Sequence, residues 1–339
     1  MTSLATSLKI VSANPLEHAE EIKELFLANE RPEFPEFFDR AYPSAVRGGG
    51  KSWIGVDADG RLVMHIARFP HRFAFGERTV VSGLLVNLMA AKSHRTVVPA
   101  LTLMRQVTAD SKGERDVDFL YADPNAAGTA LLKAAGFATV GTLKRFVFPL
   151  AGGRWYTDAI ARVYHARVRV RAWNHGARAV EYTAQHFNPD AFERPAGASP
   201  ALRAFRPPDL YRQRLAGYPS STDHWFTFHE NARSTQPSAA VLVRGSLDRT
   251  ATLYSLSREP SLRLFAIVPS LTAALRRAGY RRLSVSTLAG THFAEELTRA
   301  GFIPREDSDP IMVCAVTELG ADALRAAATW EITELDCDR

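Results

Sequence analysis

The sequence predicts an α/β protein of two similar halves, each a twisted mixed sheet (an α+β mixed sheet) flanked by helices. Three observations carry this expectation. Over residues 8–150, strand-like apolar runs alternate with helix-like ones, the pattern of a sheet with helices packed on its faces. A helix closed by the same tripeptide occurs twice, as Ala135-Gly136-Phe137 and Ala300-Gly301-Phe302, at an offset of 165 residues. The chain's 339 residues suggest two domains, at roughly 100–200 residues for each.

Residues 8–13 (LKIVSA) read as a short strand. Asn14-Pro15 then supplies a cap and first turn for an amphipathic helix on which Ile22, Leu25 and Phe26 recur at helical spacing. The aromatic- and proline-rich segment 31–43 reads as an irregular loop ending at Gly48-Gly49-Gly50. A hairpin follows with its turn at Asp59-Gly60, and then a strand over 78–90. A helix over 96–109, a buried strand over 117–122, a helix over 125–135 and a final strand pair reaching Pro149 complete this half.

Residues 152–185 look largely helical and basic, with Arg162, Arg167, Arg169 and Arg171 on what reads as a solvated face. Five prolines and a glycine across 186–208 mark a connection. The organisation expected is therefore a first domain over 1–150, a basic helical and Pro-rich connector over 151–208, and a second domain over 209–339. The offset of 165 also aligns strand 117–122 with 283–288 and sets helix 96–109 opposite 269–279. Duplication accounts for this; the alternative is chance recurrence of a common helix ending. Each Gly is expected to close its helix in the left-handed conformation, and each Phe to pack back on the sheet.

Composition narrows the class. Lys and Arg number 42 against 36 Asp and Glu, a net charge of +6 that permits an acidic partner without requiring one. Two cysteines, Cys314 and Cys337, exclude a disulfide framework and a cysteine-rich zinc module. No apolar run approaches the roughly 20 residues a membrane span needs, and the first residues lack the apolar core of a secretory signal. A cytoplasmic protein is the expectation. HExxH, a Cys–His zinc spacing, GxSxG and a Walker loop are all missing from the sequence, so no metal site is expected, nor a serine hydrolase or P-loop enzyme.

The stretch 84–107 bears most of the chemistry. An apolar strand ends, a basic loop with Lys92, His94 and Arg95 follows, and a helix begins near Thr96. The free amides and positive dipole end of such a helix suit a pyrophosphate; a plain solvated loop is the competing reading. Here the sequence resembles the GNAT superfamily of acyl-CoA-dependent N-acyltransferases, whose loop pattern is Arg/Gln-x-x-Gly-x-Gly/Ala. The window reads Arg95-Thr96-Val97-Val98-Pro99-Ala100: Arg95 and Ala100 match, and Val98 replaces the central Gly. The second hallmark, Asn followed by a helix and Gly-Phe, is met by Asn125 and Gly136-Phe137. The Tyr that many members use as general acid falls at Leu132.

The resemblance covers about residues 8–150 and implies tandem GNAT-like domains, because 205–318 looks like a degenerate copy. In that copy Gly290 stands for Asn125, and Leu297 again replaces the Tyr. It implies acyl-CoA as co-substrate, held by strand residues Leu88, Met89 and Ala90, by the loop His94–Ala100, and by Asn125. Backbone N–H groups near Leu88 and Met89 would stabilise the oxyanion. His65, Asn87 and Asp118 are the candidates for catalytic side chains: His65 and Asp118 as bases, Asn87 as a hydrogen-bonding group. Structural roles compete for all three, and for His224, Trp225 and His229 as acceptor-pocket residues. The acceptor implied is a small-molecule primary amine, with a nucleotide-linked amino sugar among its forms. A homodimer stays open, and neither a membrane nor nucleic acid is expected as partner. Two alternatives stand beside this: a non-catalytic CoA-binding or scaffold protein, and a Fem-like aminoacyl-tRNA-dependent transferase.

Overall fold

A computed structural model describes residues 8–151, 163, 166, 178–182, 202–205, 223–229, 237–259, 261–326 and 330–333. The arginines of the basic stretch, Arg162, Arg167, Arg169 and Arg171, and most of the Pro-rich connector lie outside the described residues, as does Cys337. The chain forms two compact units. Unit 1 comprises Met1–Phe73, Thr79–Val140 and Pro310–Arg325; unit 2 comprises Ala74–Arg78, Gly141–Asp309 and Ala326–Arg339.

In unit 1, β1 (Lys9–Ala13) leads into a 3-10 turn, Pro15–His18, capped by the Asn14 side chain, and then into α1 (Ala19–Leu27). α2 (Phe34–Arg47) follows, in place of the expected loop. The correction has a plain cause. Phe34, Phe38 and Tyr42 recur every fourth residue and form one buried stripe, and Pro35 sits in the first turn, where no N–H is needed. Pro43 lies inside the helix, so burial of that stripe outweighs the hydrogen bond it removes. Gly50 closes the end, its N–H donating to the Ala45 carbonyl at 2.7 Å.

β2 (Lys51–Val56), β3 (Leu62–Phe75) and β4 (Arg78–Ala90) form an antiparallel run whose first turn carries Gly60 at φ +79°. α3 (Val97–Glu114), β5 (Phe119–Ala122), α4 (Ala126–Ala134) and β6 (Ala138–Pro149) follow. The strand pair expected before Pro149 is thus one continuous strand. Unit 1's sheet runs β1-β2-β3-β4-β5, and its sixth member is Met312–Ala315 from the far end of the sequence, antiparallel to β5. One face packs α3 and α4 through Met64, Ile66, Leu103, Met104, Leu120, Leu132 and Phe137. The other face meets the aromatic stripe of α1 and α2, where Phe26 stacks on Phe34 and Tyr42 stands edge-on to Phe69.

Unit 2 repeats the plan. β7 (Arg178–Tyr182), within the stretch expected to be helical, is a strand antiparallel to β9 (Asp223–His229); β8 is Leu202–Phe205. β10 (Ala239–Gly245), β11 (Thr250–Arg258), α5 (Leu264–Arg277), β12 (Arg282–Leu288), α6 (His292–Arg299), β13 (Ile303–Ala315) and α7 (Glu318–Arg325) complete the chain. The sheet order is β7-β9-β10-β11-β12, ending on Leu143–Pro149 of β6, antiparallel to β12. Each unit therefore ends its sheet with a strand from the other half of the sequence. That exchange is why the units depart from the chain-order domains 1–150 and 209–339.

The duplication is visible in backbone detail. Gly136 and Gly301 have φ of +92° and +97°. Phe137 and Phe302 donate to Leu132 and Leu297 carbonyls, both at 3.0 Å. β4 and β5 pair in parallel over three residues, Ser82–Leu84 with Phe119–Tyr121; β11 and β12 likewise pair over three, Thr250–Thr252 with Arg282–Ser284. Among the described residues no helix is long and apolar enough to cross a membrane.

Candidate functional site

The site in unit 1 starts where β4 leaves β5. Their parallel register ends at Leu84, yet β4 runs on to Ala90. β5 stops at Ala122, so Leu85–Ala90 of β4 run on beyond the ladder, and the wedge is the space beside them at the C-terminal ends of the two strands. Within that free stretch Asn87 adopts φ +58°, a left-handed conformation that costs a non-Gly residue roughly 1–2 kcal/mol. The cost is offset by bonds on both sides of the residue. The Asn87 carbonyl accepts from His65 Nδ1 at 3.1 Å, and Asn87 Nδ2 donates to Tyr42 Oη at 3.1 Å.

His65 is fixed by the same network. A carbonyl only accepts, so Nδ1 carries the proton, and Nε2 accepts from Ser52 Oγ at 3.1 Å. The ring is fully buried between Phe26 and Tyr42. Burial pushes its pKa down to about 4, against a smaller opposing contribution from the Asn87 carbonyl. Both ring nitrogens of this expected base are therefore engaged, Nδ1 with the β4 kink and Nε2 with Ser52 on β2. The Asn87 side chain is likewise taken up by Tyr42. The other expected base, Asp118, is engaged as well. Its Oδ2 accepts from Val81 N at 2.8 Å and its Oδ1 from Thr317 Oγ1 at 2.7 Å, which anchors the start of β5, away from the open end of the wedge.

Past Ala90, the Ala91 amide donates to the Val63 carbonyl at 2.8 Å, and a 3-10 turn spans Lys92–His94. Lys92 pairs with Glu30 at 3.0 Å, and His94 Nδ1 lies 2.9 Å from Ser93 Oγ. Arg95, exposed, bonds the Asn29 side chain through Nη2 and the Ala90 carbonyl through Nε, so its guanidinium ties the loop to the turn that follows α1. Thr96 is the N-cap of α3 without a side-chain capping bond. The first-turn amides of a helix have no partner within it. Here those of Val97 and Val98 qualify; Pro99 has none, and the Ala100 N–H makes the first bond of the helix, to the carbonyl of the N-cap Thr96. Val97 and Val98 are 70% and 73% exposed, so the Val at the family's Gly position presents its side chain to solvent.

Across the wedge β5 ends at Ala122, and Asn125 caps α4, its Oδ1 accepting from Gly128 N at 2.9 Å. Leu132 is buried, so the position where many GNAT enzymes place a tyrosine is core. Four residues here were not singled out from the sequence. Ser52 and Tyr42 hold His65 and Asn87, and His71 Nδ1 lies 2.6 Å from the hydroxyl of Tyr121, the last paired residue of β5. Tyr42 had one legible sign, its place in the Phe34–Phe38 stripe; the others are joined only by strand register. In unit 2, Trp225 is core and His224 bonds Tyr280 Oη at 2.8 Å, packing roles for two residues weighed as pocket lining.

Two parallel strands parting beside a kink, with a helix N-terminus at the end of the first, are the defining features of the GNAT fold, and the chain carries that fold in tandem. No protein-family model and no curated protein matches the sequence. Solved structures do match. A GCN5-related N-acetyltransferase from Kribbella flavida aligns with a TM-score of 0.64 at 13% identity, covering 93% of this chain and 73% of that one. A tandem GNAT protein from the clavulanic acid biosynthesis pathway aligns at 0.50 and 13% identity, over 91% of this chain and 99% of that one. Saccharomyces cerevisiae N-myristoyltransferase with bound myristoyl-CoA aligns at 0.52 and 13%, over 93% and 80%. At these identities the likeness is one of fold.

Proposed function

We propose that the protein is an N-acyltransferase that moves an acyl group from acyl-CoA to a primary amine of a small molecule, with unit 1 as the acyl-CoA site. The observation that carries this reading is the wedge itself: the β4–β5 ladder ends at Leu84, β4 runs on and kinks at Asn87, and a short loop leads from its end to the N-terminus of α3, which has no side-chain cap. The free edge of β4 at Leu88, Met89 and Ala90 suits the amide-bearing arm of CoA, which can pair with it as a strand does. The α3 amides suit its pyrophosphate, and Asn125 flanks the arm from the other lip.

In the reaction the amine nitrogen bonds to the thioester carbonyl carbon, the C–S bond breaks, and the sulfur leaves as thiolate. The negative charge on the carbonyl oxygen is met by the Leu88 N–H, aimed by the Asn87 kink. The amine proton goes to solvent and the thiolate takes one from solvent, since Leu132 offers no acid and His65 and Asp118 are engaged elsewhere. Orientation then supplies most of the acceleration. Among acceptors we place a nucleotide-linked amino sugar first, supported by the surplus of six positive charges. Acetyl-CoA incubated with a panel of primary amines, amino sugars included, tests the reading by free-thiol release. Amine-dependent release supports it; CoA binding without release on any amine favours a CoA-binding scaffold; absence of both overturns it.

A further inference from the structure

Unit 2 keeps the wedge and fills it with its own chain. Beyond the three parallel pairs with β12, β11 continues to Arg258. It bulges at Tyr254, where its register with β10 shifts between Leu242 and Val243, the counterpart of the Asn87 kink in β4. Onto this stretch lies the segment Trp330–Thr333. Thr333 Oγ1 donates to the Tyr254 carbonyl at 2.9 Å, and Trp330, Ile332 and Thr333 are each less than 5% exposed.

The helix end is occupied as well. Arg258, at the end of β11, is buried and donates to the Leu262 carbonyl at 2.7 Å and to the Glu296 carboxylate. Glu331 lies 3.5 Å from the same guanidinium, and Glu296 lies 3.7 Å from Arg263, the N-cap residue of α5. Two carboxylates and a guanidinium therefore sit beside the helix start that corresponds to the open α3 N-terminus of unit 1. Glu296 and Glu331 neutralise Arg258 and Arg263, so the cluster offers a pyrophosphate no net positive charge, and the burial of Arg258 and Glu296 closes the approach.

We infer that residues 330–333 and the Arg258–Glu296–Glu331 cluster take the place of the cofactor arm and pyrophosphate in unit 2, so that the chain takes one acyl-CoA, in unit 1. The stoichiometric part rests on the acyl-CoA reading above; the filling of the unit 2 wedge does not. Hydrogen exchange of the intact protein, with and without CoA, tests both. Without CoA, the β11 peptide 253–258 exchanges at least tenfold more slowly than the β4 peptide 85–90. Added CoA slows the β4 peptide at least tenfold and leaves β11 unchanged, and calorimetry gives one site per chain. Equal exchange of the two peptides, protection of β11 by CoA, or two sites per chain would each overturn the inference. CoA that changes neither peptide and releases no heat refutes the acyl-CoA reading and the single-site assignment. The contrast between the free peptides still decides whether the tail fills the wedge.

Discussion

Replacing His65 by leucine removes a ring of similar size together with both of its hydrogen bonds. The Asn87 carbonyl and the Ser52 hydroxyl lose their partner in a buried setting. At about 1–3 kcal/mol for each such group, the variant should be less stable than the wild type by about 3 kcal/mol at pH 7. The wild type carries an opposing pH dependence. Its His65 has a pKa of about 4 in the folded protein, against 6.5 for a free histidine. As pH falls through 6.5 the unfolded chain takes up a proton that the folded chain refuses, so stability drops by about 1.4 kcal/mol per pH unit until the folded pKa is reached. That amounts to about 3 kcal/mol lost between pH 6.5 and 4, a loss the leucine variant cannot suffer. Urea unfolding of both proteins at half-unit steps from pH 7 to 4 measures the difference. The two curves should converge toward pH 4. Curves that stay parallel across that window would refute the assignment of His65 as a buried neutral clamp on the β4 kink.

Other expected outcomes follow from the same geometry. Leu88→Pro deletes the N–H assigned to the oxyanion and should lower kcat by about 10²–10³ in thiol release, with far-UV circular dichroism unchanged; an unaltered kcat would remove Leu88 from the mechanism. Asp118→Asn should cost about 1–3 kcal/mol in urea unfolding, through its bonds to Val81 N and Thr317 Oγ1, and leave kcat within about twofold of wild type. A hundredfold loss of kcat with stability intact would restore it as a catalytic group. Gly136→Ala and Gly301→Ala place a Cβ at φ of +92° and +97° and should each cost about 1–2 kcal/mol. A loss at only one of them would contradict equivalent caps. Glu296→Gln in unit 2 leaves the buried Arg258 under-neutralised and should destabilise by about 3–5 kcal/mol, read by thermal unfolding.

The fold was legible in the sequence wherever a residue's role is local. Gly136 and Gly301 show their cap function in the tripeptide itself, and Asn14-Pro15 and Asn125 announce helix starts. The α2 helix was hidden because Pro35 and Pro43 read as breakers, while the Phe34, Phe38 and Tyr42 stripe that sustains it needs a sheet to pack on. The exchange of Leu143–Pro149 and Met312–Ala315 between units was hidden for a different reason: strand pairing across more than 100 residues leaves no local sign. At the site, the open α3 start and its Val98 were legible from the strand–loop–helix pattern. His65 and Asp118 were visible as titratable residues, but their structural bonds were not, because their partners Asn87, Ser52, Val81 and Thr317 come together only through register. The same holds for Arg95, whose partner Asn29 lies 66 positions away.

A crystal structure of the protein with acetyl-CoA tests the central claim most directly. It should show one cofactor per chain, its arm along Leu88–Ala90 between β4 and β5, its pyrophosphate at the Val97 and Val98 amides, and its thioester oxygen facing the Leu88 N–H. A cofactor bound anywhere else, or in the wedge of unit 2 with Trp330–Thr333 displaced, would contradict the account.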